Sequence, residues 1–233
     1  MIALNKNMVV ALAAAGLLAA PAMANDKKGP NVGQGEVAAT ESSKSVETLA
    51  LGYRLAEYAR TAKDARAMIV AAKLVDSVTV KEGTDKGEIK GDAAGKGATG
   101  EAKVTTAADL FAEAKTLAAG DADVIAAVEA AQAETSKGVV GGAVRTVQYV
   151  PGNTIWTVRF TARGGEPLVV GVRRDSSTPL GLKIFDENGN LVCQDMSGNV
   201  NLYCRVNPIW TGQFAVQSIN YGNGGSGVAL VTN

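Results

Sequence analysis

Histidine is absent from the 233-residue chain, and this absence limits the chemistry that the sequence can support. Ser-His-Asp and Cys-His nucleophilic sites need an imidazole base, and many zinc sites need His ligands. Ser-Lys and paired-carboxylate chemistry remain open in principle, but no motif places such residues together. We therefore expect a protein that is not an enzyme and that has neither a cofactor nor a catalytic metal.

A calcium-loop spacing of the form Asp-x-Asn-x-Asn begins at Asp186. The sixth position of this segment is Leu191 instead of Gly, and the twelfth is Ser197 instead of Glu. An EF-hand loop is therefore excluded. The dipeptide Asn188-Gly189 is typical of a tight hairpin turn, because both residue types tolerate positive φ. We predict a hairpin turn here.

The chain has two cysteines, Cys193 and Cys204, which we predict to form a disulfide bond. If Gly198-Asn199 is a two-residue hairpin turn, the two cysteines face each other on adjacent antiparallel strands. Opposed Cα atoms then lie roughly 4.5–5.5 Å apart, within disulfide range. The alternative is two free thiols. We expect the bridge to hold a hairpin in register and to have no redox role.

Three residues are candidates for a ligand surface: Trp210, Arg173 and Arg174. Trp210 lies in a predicted loop, where an exposed indole can stack on a sugar ring. Trp156, by contrast, shares the strand alternation of Val158 and Phe160 and is predicted to lie in the core. The two arginines would form a ligand-facing basic edge. Their alternative role is a solvated strand end that discourages pairing between sheet edges.

The first 24 residues have the pattern of a secretory signal peptide. Residues 8–20 are an uncharged apolar run, which is shorter than the roughly 20 residues that a membrane-spanning helix needs. Small residues precede a predicted cleavage site between Ala24 and Asn25. An uncleaved anchor is the alternative. No Cys lies near the site to carry a lipid, so we expect a periplasmic or secreted bacterial protein without a membrane anchor.

Charge gives no reason to expect nucleic acid or an anionic membrane as the partner. The chain has 23 basic and 23 acidic residues, and its formal net charge is zero. Binding to a polyanion depends on an excess of positive charge. The expected partner is therefore an unknown protein or a polysaccharide.

The N-terminal half is predicted to be helical. Residues 25–44 are polar and glycine-containing, which predicts a flexible leader. Apolar spacing predicts helices over 45–62 and 64–77, with Asp64 as N-cap; one continuous helix also fits. Residues 79–103 have little to bury and predict a disordered linker. Thr105 or Thr106 is expected to cap a third helix and Asp121 a fourth, so that 45–138 forms two helical hairpins.

From residue 144 to 233 the apolar period changes from near 3.6 to 2. About eight short alternating strands are separated by turn residues such as Gly, Asn and Pro. This pattern predicts a β-sandwich or jelly roll. The fold class is therefore α+β, with N-terminal α-helical hairpins followed by an all-β domain.

Residues 144–233 resemble the bacterial pre-peptidase C-terminal domain. The shared features are Trp156-x-Val158-x-Phe160, Gly164-Gly165-Glu166-Pro167, the Asp186–Leu191 turn, Trp210-Thr211-Gly212-x-Phe214 and Asn220-x-Gly222. The resemblance implies a β-jelly roll of the kind attached to secreted hydrolases, with a role in substrate or surface binding. Some members bind calcium through an acidic run, most of which is missing here from residues 175–182.

Two functional hypotheses follow. The first is an exported, non-enzymatic binding module. In it the sandwich contacts a polymer or protein partner, and the Ala-rich helices dock on a second partner. The alternative is a calcium-stabilised accessory domain for a separately encoded secreted hydrolase.

Overall fold

The computed structural model describes residues 29–91, 100–134 and 142–233. The predicted signal peptide and its cleavage site between Ala24 and Asn25 lie outside the described residues, as does the first part of the leader. The helices of the described residues are α1 (Glu41–Ala62), α2 (Ala65–Asp76), α3 (Ala107–Leu117) and α4 (Ala122–Ala133). The strands are β1 (Val80–Glu82), β2 (Glu88–Gly91), β3 (Ala143–Val150), β4 (Thr154–Ala162), β5 (Leu168–Arg174), β6 (Leu180–Phe185), β7 (Leu191–Asp195), β8 (Asn201–Val206), β9 (Gly212–Asn220) and β10 (Ser226–Thr232).

The first two helices begin and end at the residues that their local chemistry dictates. Thr40 caps α1 in a reciprocal capping box with Ser43, which is earlier than the predicted start at residue 45. Lys63 ends α1 in the left-handed conformation, with φ 52°. The Asp64 side chain then accepts a hydrogen bond from the Ala67 amide at 3.0 Å and starts α2. The structure thus has two helices here instead of one rod.

The second helical hairpin has the predicted caps. Thr106 caps α3 through the Asp109 amide, and Asp121 caps α4 through the Val124 amide. Between the helices, Gly120 has φ 92°, a conformation in which a side chain would be strained. Of the two candidate caps for α3, the structure selects Thr106.

Two five-stranded sheets form the C-terminal sandwich. The first sheet has the strand order β1-β3-β10-β5-β8, and the second has the order β2-β4-β9-β6-β7. Strand pairs are antiparallel except β1 with β3. Strands β3 to β10 correspond to the eight strands predicted from the sequence. The α+β class with a C-terminal β-sandwich is confirmed.

The expectation of a disordered linker at 79–103 is wrong for residues 80–82 and 88–91, which form β1 and β2. Each adds an edge strand to one sheet, with Val80 beside Ala143 and Ile89 beside Trp156. An edge strand is held by backbone hydrogen bonds on one side and can be polar. A low content of apolar residues therefore does not exclude an edge strand. Gly87 allows close contact, since an added Cβ would lie 2.3 Å from the Thr157 carbonyl oxygen.

The expectation of a flexible leader at 25–44 is also corrected, for residues 29–44. Residues 41–44 belong to α1, and residues 29–40 lie against the sandwich. The Gly33 amide donates to the Asn207 carbonyl at 2.8 Å, and Asn207 Nδ2 donates to the Gly35 carbonyl at 2.9 Å. Composition alone indicated flexibility, but these backbone groups find partners in loops that are distant in sequence.

The molecule has three layers: helices, first sheet and second sheet. The sandwich interior contains large buried side chains from both sheets, including Trp156, Phe214, Leu182 and Leu230. The outer face of the first sheet packs against the helices through a separate cluster that includes Val169 and Val231. The helices therefore cover the first sheet, and among the described residues no helix covers the outer face of the second sheet.

Candidate functional site

Trp210 lies in the loop between β8 and β9, at one end of the sandwich, and is partly exposed. Its indole N–H donates to the Glu187 carboxylate. Its backbone amide donates to Asn31 Oδ1 at 3.1 Å, and Asn31 Nδ2 donates to the Trp210 carbonyl at 2.9 Å. The indole is thus held by the leader and by the turn after β6.

Arg173 points from the first sheet into the helical layer and is largely buried. Its Nη1 donates to Glu57 Oε1 and to Asn201 Oδ1, both at 3.0 Å. Its guanidinium carbon lies 5.0 Å from the centre of the Tyr53 ring. Burial raises the pKa of Tyr53, and the positive charge of Arg173 opposes part of that rise. Arg173 therefore joins helix α1 to the sheet.

Arg174 joins two loops instead of pointing into open solvent. Its Nη1 donates to the carbonyl oxygens of Ser176 and Thr178 at 3.2 and 2.7 Å, and its Nη2 donates to the Gly198 carbonyl at 3.0 Å. These contacts lie at the end of β5, whereas the loop of Trp210 lies at its start. The structure thus does not bring Trp210 together with the two arginines. Their role in ligand binding stays a prediction.

The turn that begins at Asp186 is a hairpin between β6 and β7, as predicted. The Asp186 amide donates to the Asn190 carbonyl at 3.0 Å, and Gly189 has φ 81°. The buried Asp186 carboxylate accepts four hydrogen bonds, from the amides of Asn31, Asn188 and Asn190 and from Asn190 Nδ2, at 2.8–3.0 Å. Burial by itself raises the pKa of Asp186, but these hydrogen bonds outweigh it, so the pKa lies below its ordinary value.

Two features are absent from the described residues: a cluster of metal-binding side chains and a membrane-spanning helix. No group of three or more Cys, Asp or Glu side chains within residues 29–91, 100–134 and 142–233 is arranged to hold a metal ion. None of the helices in these ranges combines the length and the apolar character needed to span a bilayer.

The disulfide between Cys193 and Cys204 is present, with Cα atoms 6.1 Å apart. The predicted hairpin around Gly198-Asn199 is wrong. Strand β7 pairs with β6 in the second sheet, and β8 pairs with β5 in the first sheet. The chain crosses between the sheets after Asp195, whose carboxylate accepts hydrogen bonds from the Tyr203 and Ser197 amides at 3.0 Å. The disulfide therefore connects the two sheets across the sandwich.

The outer face of the second sheet carries an apolar row that the sequence did not reveal. Leu180, Leu182 and Ile184 point inward, so Gly181 lies on the outer face of β6. Over Gly181 lie the side chains of Met196 and Tyr221; an added Cβ would be 2.7 Å from the Met196 sulfur. Met196 is 43% exposed and Tyr221 is 47% exposed.

The row continues across neighbouring strands. Ile219 is the register partner of Gly181, and Ile155 is the partner of Ile219; both are half-buried and face outward. A polar row lies alongside, where Lys183 on β6 is flanked by Gln217 on β9 and Gln194 on β7. We call these two rows together the outer face of the second sheet. Its arrangement is an apolar strip with a polar margin.

Only part of this face had a signal in the sequence. Strand alternation places Ile155 and Ile219 on the side opposite the buried Trp156, and this could have identified them as exposed apolar residues. Met196 and Tyr221 lie outside the strands, so no periodic pattern predicts that their side chains cover Gly181. The helical layer on the first sheet also could not be derived from periodicity.

No protein-family model matches the chain, and no curated protein matches it. Three similar solved structures are bacterial. A Yersinia pseudotuberculosis-derived mitogen is 11% identical with a TM-score of 0.33, and the match covers 39% of this chain and 84% of the mitogen chain. The pre-peptidase C-terminal domain of a collagenase from Bacillus anthracis is 10% identical with a TM-score of 0.25, and the match covers 39% of this chain and 76% of that domain. Aeromonas hydrophila PliG, a periplasmic lysozyme inhibitor of g-type lysozyme, is 11% identical with a TM-score of 0.30, and the match covers 39% of this chain and 86% of PliG. At these scores the similarities carry no argument about family or function. The family resemblance drawn from the sequence stays a prediction.

Proposed function

We propose that this protein is an exported, non-enzymatic binding module whose partner protein binds to the outer face of the second sheet. The observation that carries the proposal is the asymmetry of the sandwich. Helices cover the first sheet, whereas the second sheet presents Met196 and Tyr221, each nearly half exposed, beside outward-facing Ile219 and Ile155. Contiguous exposed apolar surface with a polar margin is typical of interaction sites.

The composition of this face favours a protein over a polysaccharide. Protein interfaces are enriched in Tyr and Met, and charged residues are depleted at their centre. Ile155, Ile219 and Met196 have no ring that could stack on a sugar, and Tyr221 is the aromatic residue in the row. Two lysines border the row, where they can form part of a polar rim: Lys183 lies beside it on β6, and Lys90, the register partner of Ile155, lies at its end on β2.

Export and the absence of enzymatic activity are parts of the same proposal. The signal-peptide pattern of residues 1–24 supports export, and so does the disulfide between Cys193 and Cys204, since such bonds persist in oxidising compartments. A non-enzymatic role is supported by the lack of His in the sequence. We do not propose the calcium-stabilised alternative, because Asp175, the one acidic residue in 175–182, already accepts hydrogen bonds from the Lys103 and Gly227 amides and from the Ser226 hydroxyl.

The proposal is tested with protein that is expressed with its signal peptide and purified after export. Its N-terminal residue is expected to be Asn25. The purified protein is immobilised, and proteins retained from an envelope extract of the native host are identified by mass spectrometry. Each candidate partner is then purified and titrated by calorimetry against the wild type and against a double variant, Met196→Glu with Tyr221→Glu.

We expect the double variant to bind the partner at least tenfold more weakly, because two charges would be buried in an apolar interface. Val70→Ser, at an exposed apolar site on helix α2, is the matched control and should bind as the wild type does. Equal binding by the double variant and the wild type would contradict the proposal. A glycan array is probed in parallel, and glycan binding that the double variant loses, without any protein partner, would replace the protein with a polysaccharide.

A further inference from the structure

Met196 places an oxidisable sulfur in the apolar row on the outer face of the second sheet. The side chain is 43% exposed. Its Sδ lies over Gly181, where an added Cβ would be 2.7 Å away, and the hydroxyl of Tyr221 donates a hydrogen bond to this sulfur at 3.4 Å. A thioether is a soft, polarizable group that hydroperoxides convert to a sulfoxide. The reactive sulfur therefore belongs to the surface that the proposed partner covers.

No other thiol or thioether in the described residues is comparably available to an oxidant. Both cysteines of the chain are joined in the disulfide, so a free thiol, which would react first, is absent. Met68 is fully buried between the helices and the first sheet. The remaining methionines, Met1, Met8 and Met23, belong to the predicted signal peptide and lie outside the described residues. Because susceptibility to oxidation follows exposure, Met196 should react first.

We propose that Met196 is a reversible modification site for hydroperoxides, and that its oxidation weakens partner binding at the outer face of the second sheet. The sulfur attacks the outer oxygen of the hydroperoxide, so that an S–O bond forms and the O–O bond breaks. The sulfur loses two electrons, and the proton of the transferred hydroxyl passes to the leaving oxygen, which departs as water or an alcohol. The effect on binding rests on the proposed function, whereas the site of oxidation does not.

The sulfoxide changes the chemistry of the row because it converts an apolar side chain into a polar one with a strong acceptor oxygen. In the free protein this oxygen is solvated, or it accepts from the Tyr221 hydroxyl that already faces the sulfur. Under an apolar partner surface it would lose its water, which is unfavourable for an unpaired polar group. Met196 belongs to neither buried cluster, so the core is undisturbed. Methionine sulfoxide reductases reverse the modification.

The first test treats the full exported protein with hydrogen peroxide and follows each methionine by peptide mass spectrometry over time. Met196 should gain one oxygen about tenfold faster than Met68, the control within the same molecule, because exposure of the sulfur sets the rate. Thermal melts confirm that the oxidised protein is folded. Equal rates at the two methionines, or oxidation that occurs first at the partly exposed Trp210, would overturn the inference.

Hydrophobic-interaction chromatography then measures the polarity of the face without the partner. The oxidised wild type should elute earlier than the untreated protein, and a methionine sulfoxide reductase should restore the original position. Met196→Gln, whose side chain is polar and of similar size to the sulfoxide, should elute early without peroxide. Met196→Leu should elute at one position before and after treatment. A peroxide-induced shift in Met196→Leu as large as that of the wild type would overturn the inference.

Calorimetry with the partner retained from the envelope extract measures the regulation. The oxidised wild type should bind about tenfold more weakly than the untreated protein, and peroxide should not change the affinity of Met196→Leu. If the oxidised wild type binds as before while Met196→Glu with Tyr221→Glu does not, the inference fails and the proposed function stands. If that double variant binds as the wild type does, the proposed function fails and the regulation fails with it, whereas the peptide mapping still decides the site of oxidation.

Discussion

Replacing Asp186 with Asn is predicted to destabilise the fold because the wild-type carboxylate accepts four hydrogen bonds in a buried site. Oδ1 accepts from the amides of Asn188 and Asn190, and Oδ2 accepts from the Asn31 amide and from Asn190 Nδ2. An Asn side chain keeps one acceptor oxygen and turns an NH2 group toward two donors. A buried polar group that loses its partner costs roughly 1–3 kcal/mol, so we expect a loss of about 3 kcal/mol at pH 7.

The same substitution has a defined pH signature. Because the pKa of Asp186 is lowered in the folded protein, its contribution is fully present above the unfolded pKa of about 3.9. That contribution is lost as the pH falls through the lower folded pKa. The Asn side chain does not titrate in this range. The difference in free energy of unfolding between wild type and Asp186→Asn should therefore be constant from pH 7 to about pH 5 and should shrink below about pH 4.

Urea titrations followed by tryptophan fluorescence at pH 7, 5 and 3.5 measure this difference. Asp123→Asn is the control, since Asp123 is exposed in the first turn of α4 and should contribute roughly 0.5 kcal/mol through the helix dipole. A loss below about 1 kcal/mol for Asp186→Asn at pH 7, or a difference that does not shrink in acid, would refute the role assigned to this carboxylate.

Three further stability predictions follow from single contacts. Replacing both Cys193 and Cys204 with Ser should lower the free energy of unfolding by about 3 kcal/mol, as expected for a bridge with a sequence separation of 11. In urea titrations, a reductant should lower the free energy of unfolding of the wild type by the same amount. Gly171→Ala should raise the melting temperature, with a gain of up to about 1 kcal/mol in the free energy of unfolding, because an added Cβ would have no atom within 4 Å. Gly198→Ala is the control and should lower the melting temperature, because Gly198 has φ 71°, where a side chain is strained. Arg173→Leu should cost about 2 kcal/mol, because Asn201 Oδ1 loses its donor and Glu57 keeps Arg60 as a partner but loses Arg173. Hydrogen exchange should then increase first in α1, and an unchanged α1 would contradict the anchoring role of Arg173.

The secondary structure of this protein is largely determined by local sequence. Asp64 and Asp121 can accept hydrogen bonds from free amides at a helix start, and this chemistry depends on residues two or three positions away. The alternation of apolar and polar residues around Trp156 is also a local signal. It predicts a strand because successive side chains of a strand point to opposite sides of the sheet. Local chemistry therefore favours two helices over 45–62 and 64–77 and about eight strands in 144–233, close to the elements that the structure has.

The expectation of a disordered linker is wrong for residues 80–82 and 88–91 because their structure depends on distant partners. β1 and β2 are short and polar, and they become strands only because the edges of β3 and β4 offer free backbone groups. Residues 29–40 lie against the sandwich for a similar reason: Asn31 has no local signal, but it is buried against the loop of Trp210 and the Asp186 turn. A sequence window contains none of these contacts.

The disulfide shows the same division. With two cysteines, the sequence by itself determines which residues can pair, so Cys193 and Cys204 were predicted correctly. Whether the bridge joins neighbours in one sheet or connects two sheets depends on which partner each strand selects. β7 pairs with β6 and β8 with β5, and these non-local pairings are decided by the packing of the whole sandwich.

The exposure of the proposed binding surface on the second sheet was decided by tertiary structure. Alternation shows that Ile155 and Ile219 face away from the sandwich interior, but it does not show which sheet the helices will cover. The helices pack on the first sheet, where Arg173 pairs with Glu57, and within residues 29–91, 100–134 and 142–233 no helix packs on the second sheet. The sequence by itself determines which side chains share a face of an element; the packing of layers decides which of those faces remains in contact with solvent, because burial depends on neighbours that are distant in the chain.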